Sequence, residues 1–103
     1  SSAASDVYKR QSWIPARLIY VAKGAAGISV EINQIPRYLL EARRLRGWVD
    51  VNGRIWKQEF TMLSERGKNR IYLLATGTGG KMLWEFYKQG VKRIFVMGLE
   101  PAP

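Results

Sequence analysis

Trp48-Val49-Asp50-Val51-Asn52-Gly53-Arg54-Ile55-Trp56 decides the fold class of this chain. Two runs of β-forming residues flank an Asn-Gly pair. A type I′ turn needs positive φ at both central positions, and Asn-Gly is the pair that accepts it at least cost. The stretch therefore predicts a tight two-residue hairpin. The returning strand, residues 54–62, mixes apolar and polar positions imperfectly, which points to two-sided exposure or a bulge.

Upstream, Ile28, Val30 and Ile32 alternate with Ser29, Glu31 and Asn33, the period-two pattern of a half-buried strand. The apolar residues 17–22 precede it as a further strand, ended by a glycine- and alanine-rich turn at 23–27. Pro36 suits the first turn of a helix, Leu39, Leu40 and Leu45 follow on one side, and Gly47 stands where a helix would stop, so a helix is expected over 36–45. Its other side would carry Arg37, Arg43, Arg44 and Arg46, the most basic segment of the chain.

Downstream, residues 64–69 (SERGKN) read as a polar loop and residues 70–75 (RIYLLA) as an apolar strand at the sheet centre. Thr76-Gly77-Thr78-Gly79-Gly80 breaks that strand. A second helix is expected over 80–89 with Met82, Leu83, Phe86 and Tyr87 inward, stopped by Gly90, and residues 91–97 form the last strand.

A shift of 43 residues superposes these two series: Ile28, Val30 and Ile32 fall on Ile71, Leu73 and Ala75, Leu39 and Leu40 on Met82 and Leu83, Gly47 on Gly90, and Val51 on Ile94. Neither half could bury its apolar face alone. The expected fold is α+β: a small, mostly antiparallel β-barrel built from two pseudo-symmetric strand-helix-strand halves, with about six strands and two short helices.

Paired halves with interleaved strands are what small swapped-hairpin and AbrB-like barrels look like. The succession IPRYLL, GWVDVNG, RIYLLA, short helix and GVKRIFV resembles a family of small barrels of unknown function found beside bacteriocin-protection domains. The resemblance covers about residues 18–99 and rests on turn chemistry: a proline before the first helix, a glycine-led strand with Asn-Gly, and a glycine-led last strand. This chain lacks the acidic residue expected after Gly90. The resemblance implies a barrel and carries no catalytic residues. The opening string SSAASDVYKRQ, residues 1–11, resembles the translated read-through of a sequencing adapter on a metagenomic protein; residues 12–103 are expected to form the single domain.

Composition bounds the chemistry. The 103 residues include no Cys and no His, which removes disulfides, thiolate and imidazole metal sites and the usual general base. The 17 basic residues outnumber the 8 acidic ones, giving +9 and a pI near 10.3; residues 12–103 alone keep +8. Such a balance favours nucleic acid or another polyanion as partner. No metal and no cofactor are expected, no run reaches the roughly 18 apolar residues of a membrane span, and a cytoplasmic location is the default expectation.

The candidate anion-binding residues fall into three groups. The first is the arginine set at 37, 43, 44 and 46. The second is Arg54, Trp56 and Lys57 on the hairpin with Arg66, Lys68 and Arg70 around the next loop, where cations release counterions and aromatic faces stack on unpaired bases. The third is Thr78, Gly79, Gly80 and Lys81, where glycines between strand and helix could present backbone N–H groups to an anion. This third group is not a P-loop, because Ala75 stands where the first glycine is required and Met82 where Ser or Thr is required. Two other classes compete with a non-catalytic polyanion binder. A protein-interaction module or homodimer would use exposed strand edges. A small-ligand or enzymatic barrel would need Glu31, Asp50 and Glu59 to converge in one mouth, where burial raises a carboxyl pKa.

Overall fold

The computed structural model describes residues 12–20, 27–66 and 70–103, with 64–66 described as backbone only. The adapter-like residues 1–11, the expected turn at 23–27 save Gly27, and Lys68 lie outside the described residues. Six strands follow in order: β1 (Ile14–Ile19), β2 (Gly27–Ile32), β3 (Arg44–Val51), β4 (Arg54–Arg66), β5 (Arg70–Thr76) and β6 (Arg93–Pro101). An α-helix, α1 (Gly77–Lys88), joins β5 to β6, and a 3-10 turn, Arg37–Glu41, lies between β2 and β3. All strand pairs are antiparallel, and the sheet closes on itself in the order β1-β2-β5-β4-β3-β6. No described residue belongs to a helix long and apolar enough to cross a membrane.

The Asn-Gly hairpin forms as its chemistry dictates. Asn52 takes φ 52° and Gly53 φ 84°, Val51 faces Arg54 across the turn, and the Gly53 N–H donates to Asp50 Oδ1 at 2.9 Å. Of the two alternatives for the returning strand, a bulge occurs, as a register shift between Met62 and Ser64 at the end of the expected span. That strand also runs on to Arg66, because 64–66 pair with Tyr72, Ile71 and Arg70, so the first half of the expected polar loop is strand; residues 67–69 lie outside the described residues.

Inward-facing residues follow the period of two. Val30 and Ile32 from β2, Leu45, Val49 and Val51 from β3, Phe60 from β4, Leu73 from β5 and Ile94 and Val96 from β6 are all at most 1% exposed. Removing such side chains from water stabilises the fold by about 1.5–3 kcal/mol each. Leu83 of α1 and Leu39 of the 3-10 turn complete this core.

The helix expected over 36–45 is replaced by the 3-10 turn and the start of β3. Pro36 is extended (φ −57°, ψ 136°) and caps a five-residue turn, within which Leu39 is the fully buried residue. The chain then straightens at Ala42. Leu45, Gly47 and Val49 alternate with Arg44, Arg46 and Trp48 over β3, and pairing to β4 on one side and β6 on the other outweighs the local helical preference. Gly47 is accordingly not a helix stop. A Cβ there would lie 2.8 Å from the Met97 carbonyl oxygen, so the glycine permits close approach of β6 beside a register shift.

Three further expectations are corrected. The α-helix starts at Gly77 rather than near residue 80, taking the glycine-rich stretch as its first turn. RIYLLA has no central place, since a closed ring has no centre or edge, and it alternates in burial rather than being buried throughout. β2 is buried on both faces instead of one: Ser29 is 1% and Glu31 9% exposed, and the Tyr72 hydroxyl reaches Glu31 from the neighbouring strand.

Candidate functional site

Outward-facing positions of four neighbouring strands place a charged row across the sheet. In register order Arg93 of β6 faces Arg17 of β1, Arg17 faces Glu31 of β2, and Glu31 faces Tyr72 of β5. Arg70 stands two residues before Tyr72 on the same face of β5. A cleft of about 540 Å³ opens over this row, lined also by Asn33, Gln34 and Phe95.

Glu31 holds the row together. Its side chain is 10% exposed, and Tyr72 donates its hydroxyl to Glu31 Oε2 at 2.8 Å. The guanidiniums of Arg17 and Arg70 each stand 3.8 Å from a Glu31 oxygen, too far for a hydrogen bond, and both arginine side chains are 62% exposed. They are attracted to Glu31 yet remain open to a second anion. Arg93 has no ion pair among the described residues, and it lies directly across from Arg17. Like charges directly opposite across a strand pair are destabilising. Among the described residues the cleft holds one carboxylate for three guanidiniums, which leaves it with an unmatched positive potential.

A second groove, about 460 Å³, lies further along β6 between Met97, Trp48, Lys57 and Arg46. The Lys57 ammonium sits 5.2 Å from the centre of the Trp48 ring, a cation–π contact. Arg46 donates from Nε to Glu100 Oε1 at 3.0 Å, which neutralises much of its charge. Arg93, Phe95 and Met97 are alternate outward residues of β6, so one strand connects cleft and groove over about 13 Å. Phe95, 40% exposed, lies between them.

The structure separates most of the residues that the sequence grouped. Arg37 is exposed on the 3-10 turn and Arg43 follows it, whereas Arg44 and Arg46 belong to β3 and are ion-paired with Glu59 and Glu100. The four form no common helix face, because there is no helix to bear it. Trp56 and Lys57 are consecutive strand residues and point to opposite faces. Trp56 shares the inward side with Val49, its cross-strand partner, and packs 6.4 Å from Phe86 of α1, so it serves the core. Its buried Nε1 has no hydrogen-bond partner among the described residues. Arg54 is exposed beside the turn. Arg66 is described as backbone only, and Arg70, the member of its loop group whose side chain is described, lies in the cleft. Thr78 and Lys81 are exposed in the first turn of α1, Gly80 is buried, and Gly79 packs against the Gln58 side chain.

Sequence reading missed Arg17, Arg93 and Phe95. Each was visible as an outward position in a strand, but only cross-strand register makes them neighbours. The three strand acids do not converge: Glu31 meets Tyr72, Asp50 caps the hairpin turn, and Glu59 pairs with Arg44. Among the described residues no three acidic side chains are grouped to hold a metal ion. Every described strand is paired on both sides, which removes the exposed strand edges that suggested oligomerisation.

No protein-family model matches this chain, and no curated protein or solved structure is significantly similar to it.

Proposed function

We propose that this protein is a non-catalytic module that binds single-stranded nucleic acid along the outer face of β6. The observation that carries the proposal is the placement of Arg17 and Arg93 directly opposite each other, beside Arg70, with Glu31 as the one carboxylate among them in the described residues. A fold tolerates such like-charge juxtaposition more readily when an external anion occupies the site. Phosphates would take the guanidiniums, with Phe95 and Trp48 offering ring faces to unpaired bases. Lys57, beside Trp48, supplies a fourth cation.

The architecture behind this face is, in the same proposal, a small barrel of two pseudo-symmetric halves. Supporting it, exchange of β1 with β4, β2 with β5 and β3 with β6 leaves the ring order unchanged. Val30 and Leu73, which stand 43 residues apart, are cross-strand partners, as a two-fold axis between them requires. The charged row is not duplicated. At the same shift Glu31 falls on Leu74, Tyr72 on Ser29 and Arg93 on Asp50. A cluster that draws on both halves and is not repeated by their two-fold fits a binding role better than a role in folding.

Titration of the intrinsic tryptophan fluorescence with single-stranded DNA, duplex DNA and heparin at two salt concentrations tests the reading. Salt-sensitive binding with preference for the single strand is expected. Absence of salt-sensitive binding at micromolar protein refutes it, and equal binding of heparin would reassign the face to polyanions in general.

A further inference from the structure

We infer that Glu31 reads the Watson–Crick edge of an unpaired base and selects guanine. This rests on the single-stranded reading above and deepens it. A carboxylate in the floor of a cationic cleft weakens the attraction for phosphate, so a site that served phosphate alone would do better without it. Glu31 is nevertheless held there: Tyr72 donates to Oε2 and fixes the carboxylate, while Oε1 faces the Arg17 guanidinium at 3.8 Å without a hydrogen bond. An oriented carboxylate presents acceptors only.

The bases differ in what they can offer such a group. Guanine carries two adjacent donors on its Watson–Crick edge, the ring N1–H and the exocyclic amino group, spaced to meet the two oxygens of one carboxylate. Cytosine and adenine each pair a single amino donor with a ring acceptor, and thymine flanks its one N–H with two carbonyl oxygens; these acceptors repel a carboxylate. In duplex DNA the edge is already occupied, so selection of this kind operates on unpaired bases. Phe95 borders the same cleft with 40% of its surface exposed, a ring on which the selected base can stack. Arg17, Arg70 and Arg93 then meet the flanking phosphates, and binding relieves the repulsion between Arg17 and Arg93.

Fluorescence anisotropy with labelled d(TTGTT), d(TTATT), d(TTCTT) and d(TTTTT) at about 50 mM salt tests the inference on the full chain. A bidentate contact discriminates between bases by about five- to a hundredfold, so d(TTGTT) is expected to bind tighter than the other three by a factor in that range. Replacing its guanine by hypoxanthine removes the exocyclic donor and should erase most of the preference with no change to the protein. Glu31→Gln exchanges one acceptor for a donor and removes a negative charge. Its affinity for d(TTTTT) should stay level or rise while the guanine preference falls to about twofold or less. Equal, salt-sensitive affinity of the unaltered protein for all four oligonucleotides overturns the guanine inference and leaves the single-strand proposal standing. Binding to none of them overturns both.

Discussion

Replacement of Arg93 by glutamine measures how many cations meet phosphate. The outer face offers four without a tight carboxylate partner: Arg17, Arg70 and Arg93 around the cleft and Lys57 beside Trp48. Arg46 is discounted because Glu100 accepts its Nε–H at 3.0 Å. Each phosphate neutralised on a single strand contributes about −0.7 to the slope of log K against log salt, so four contacts give about −2.8. Between about 50 and about 200 mM salt the affinity should fall roughly fiftyfold. With Arg93→Gln the slope should shrink to about −2.1 and the fall over the same interval to roughly eighteenfold. Lys81→Gln, in the first turn of α1, serves as the comparison and should leave the slope at the value of the unaltered protein. Anisotropy titration of a labelled oligonucleotide at four salt concentrations gives all three slopes. An unchanged slope for Arg93→Gln, or a shift produced by Lys81→Gln alone, would refute the cleft as the binding surface and move the contact to the helix terminus.

Four further outcomes follow from the same geometry. Trp48 is outward and Trp56 inward, so single-stranded DNA should quench the fluorescence of a Trp56→Phe protein, and Trp48→Phe should lose most of that quenching. Trp56→Phe also deletes a buried N–H that has no partner among the described residues, which offsets part of the lost packing; urea denaturation should show a cost under about 1.5 kcal/mol. Phe60→Ala empties a core site 1% exposed and should cost about 3–5 kcal/mol in the same assay. Gly47→Ala places a Cβ 2.8 Å from the Met97 carbonyl oxygen and 3.0 Å from a Leu99 methyl group; forcing β3 and β6 apart should cost about 1–3 kcal/mol, and a loss below about 0.5 kcal/mol would show that the strands can separate freely.

The competition between helix and strand over residues 36–51 shows where sequence reading stops. Pro36, Leu39 and Leu40 carry a helical signal, and Arg44 to Val51 carry an alternating one; both are present, and local preference cannot rank them. The ranking comes from β4 and β6, which pair with β3 along both sides and satisfy its backbone groups. The glycine-rich run before α1 failed for a similar reason. Glycine is a poor helix former, yet Gly77 to Gly80 lie in the first turn, where Gly79 abuts Gln58 and Gly80 is buried. Glu31 looked solvent-facing because a strand of alternating polarity has one wet side; the Tyr72, Arg17 and Arg70 side chains, brought in from neighbouring strands, stand around it.

By itself the sequence determined the Asn-Gly hairpin, the inward sets of β2 and β5, the existence of a helix before the last strand, and a basic chain without histidine or cysteine. These depend on one residue's φ, on neighbours two apart, or on a count. The tertiary structure alone decided the closure of the ring, the conversion of an arginine-rich helix into a strand, and the meeting of Arg17, Glu31, Arg70 and Arg93. Closure and register depend on pairings between residues 10 to 82 positions apart, and a contact of that range is fixed by the summed burial of the whole ring and not by any segment that enters it.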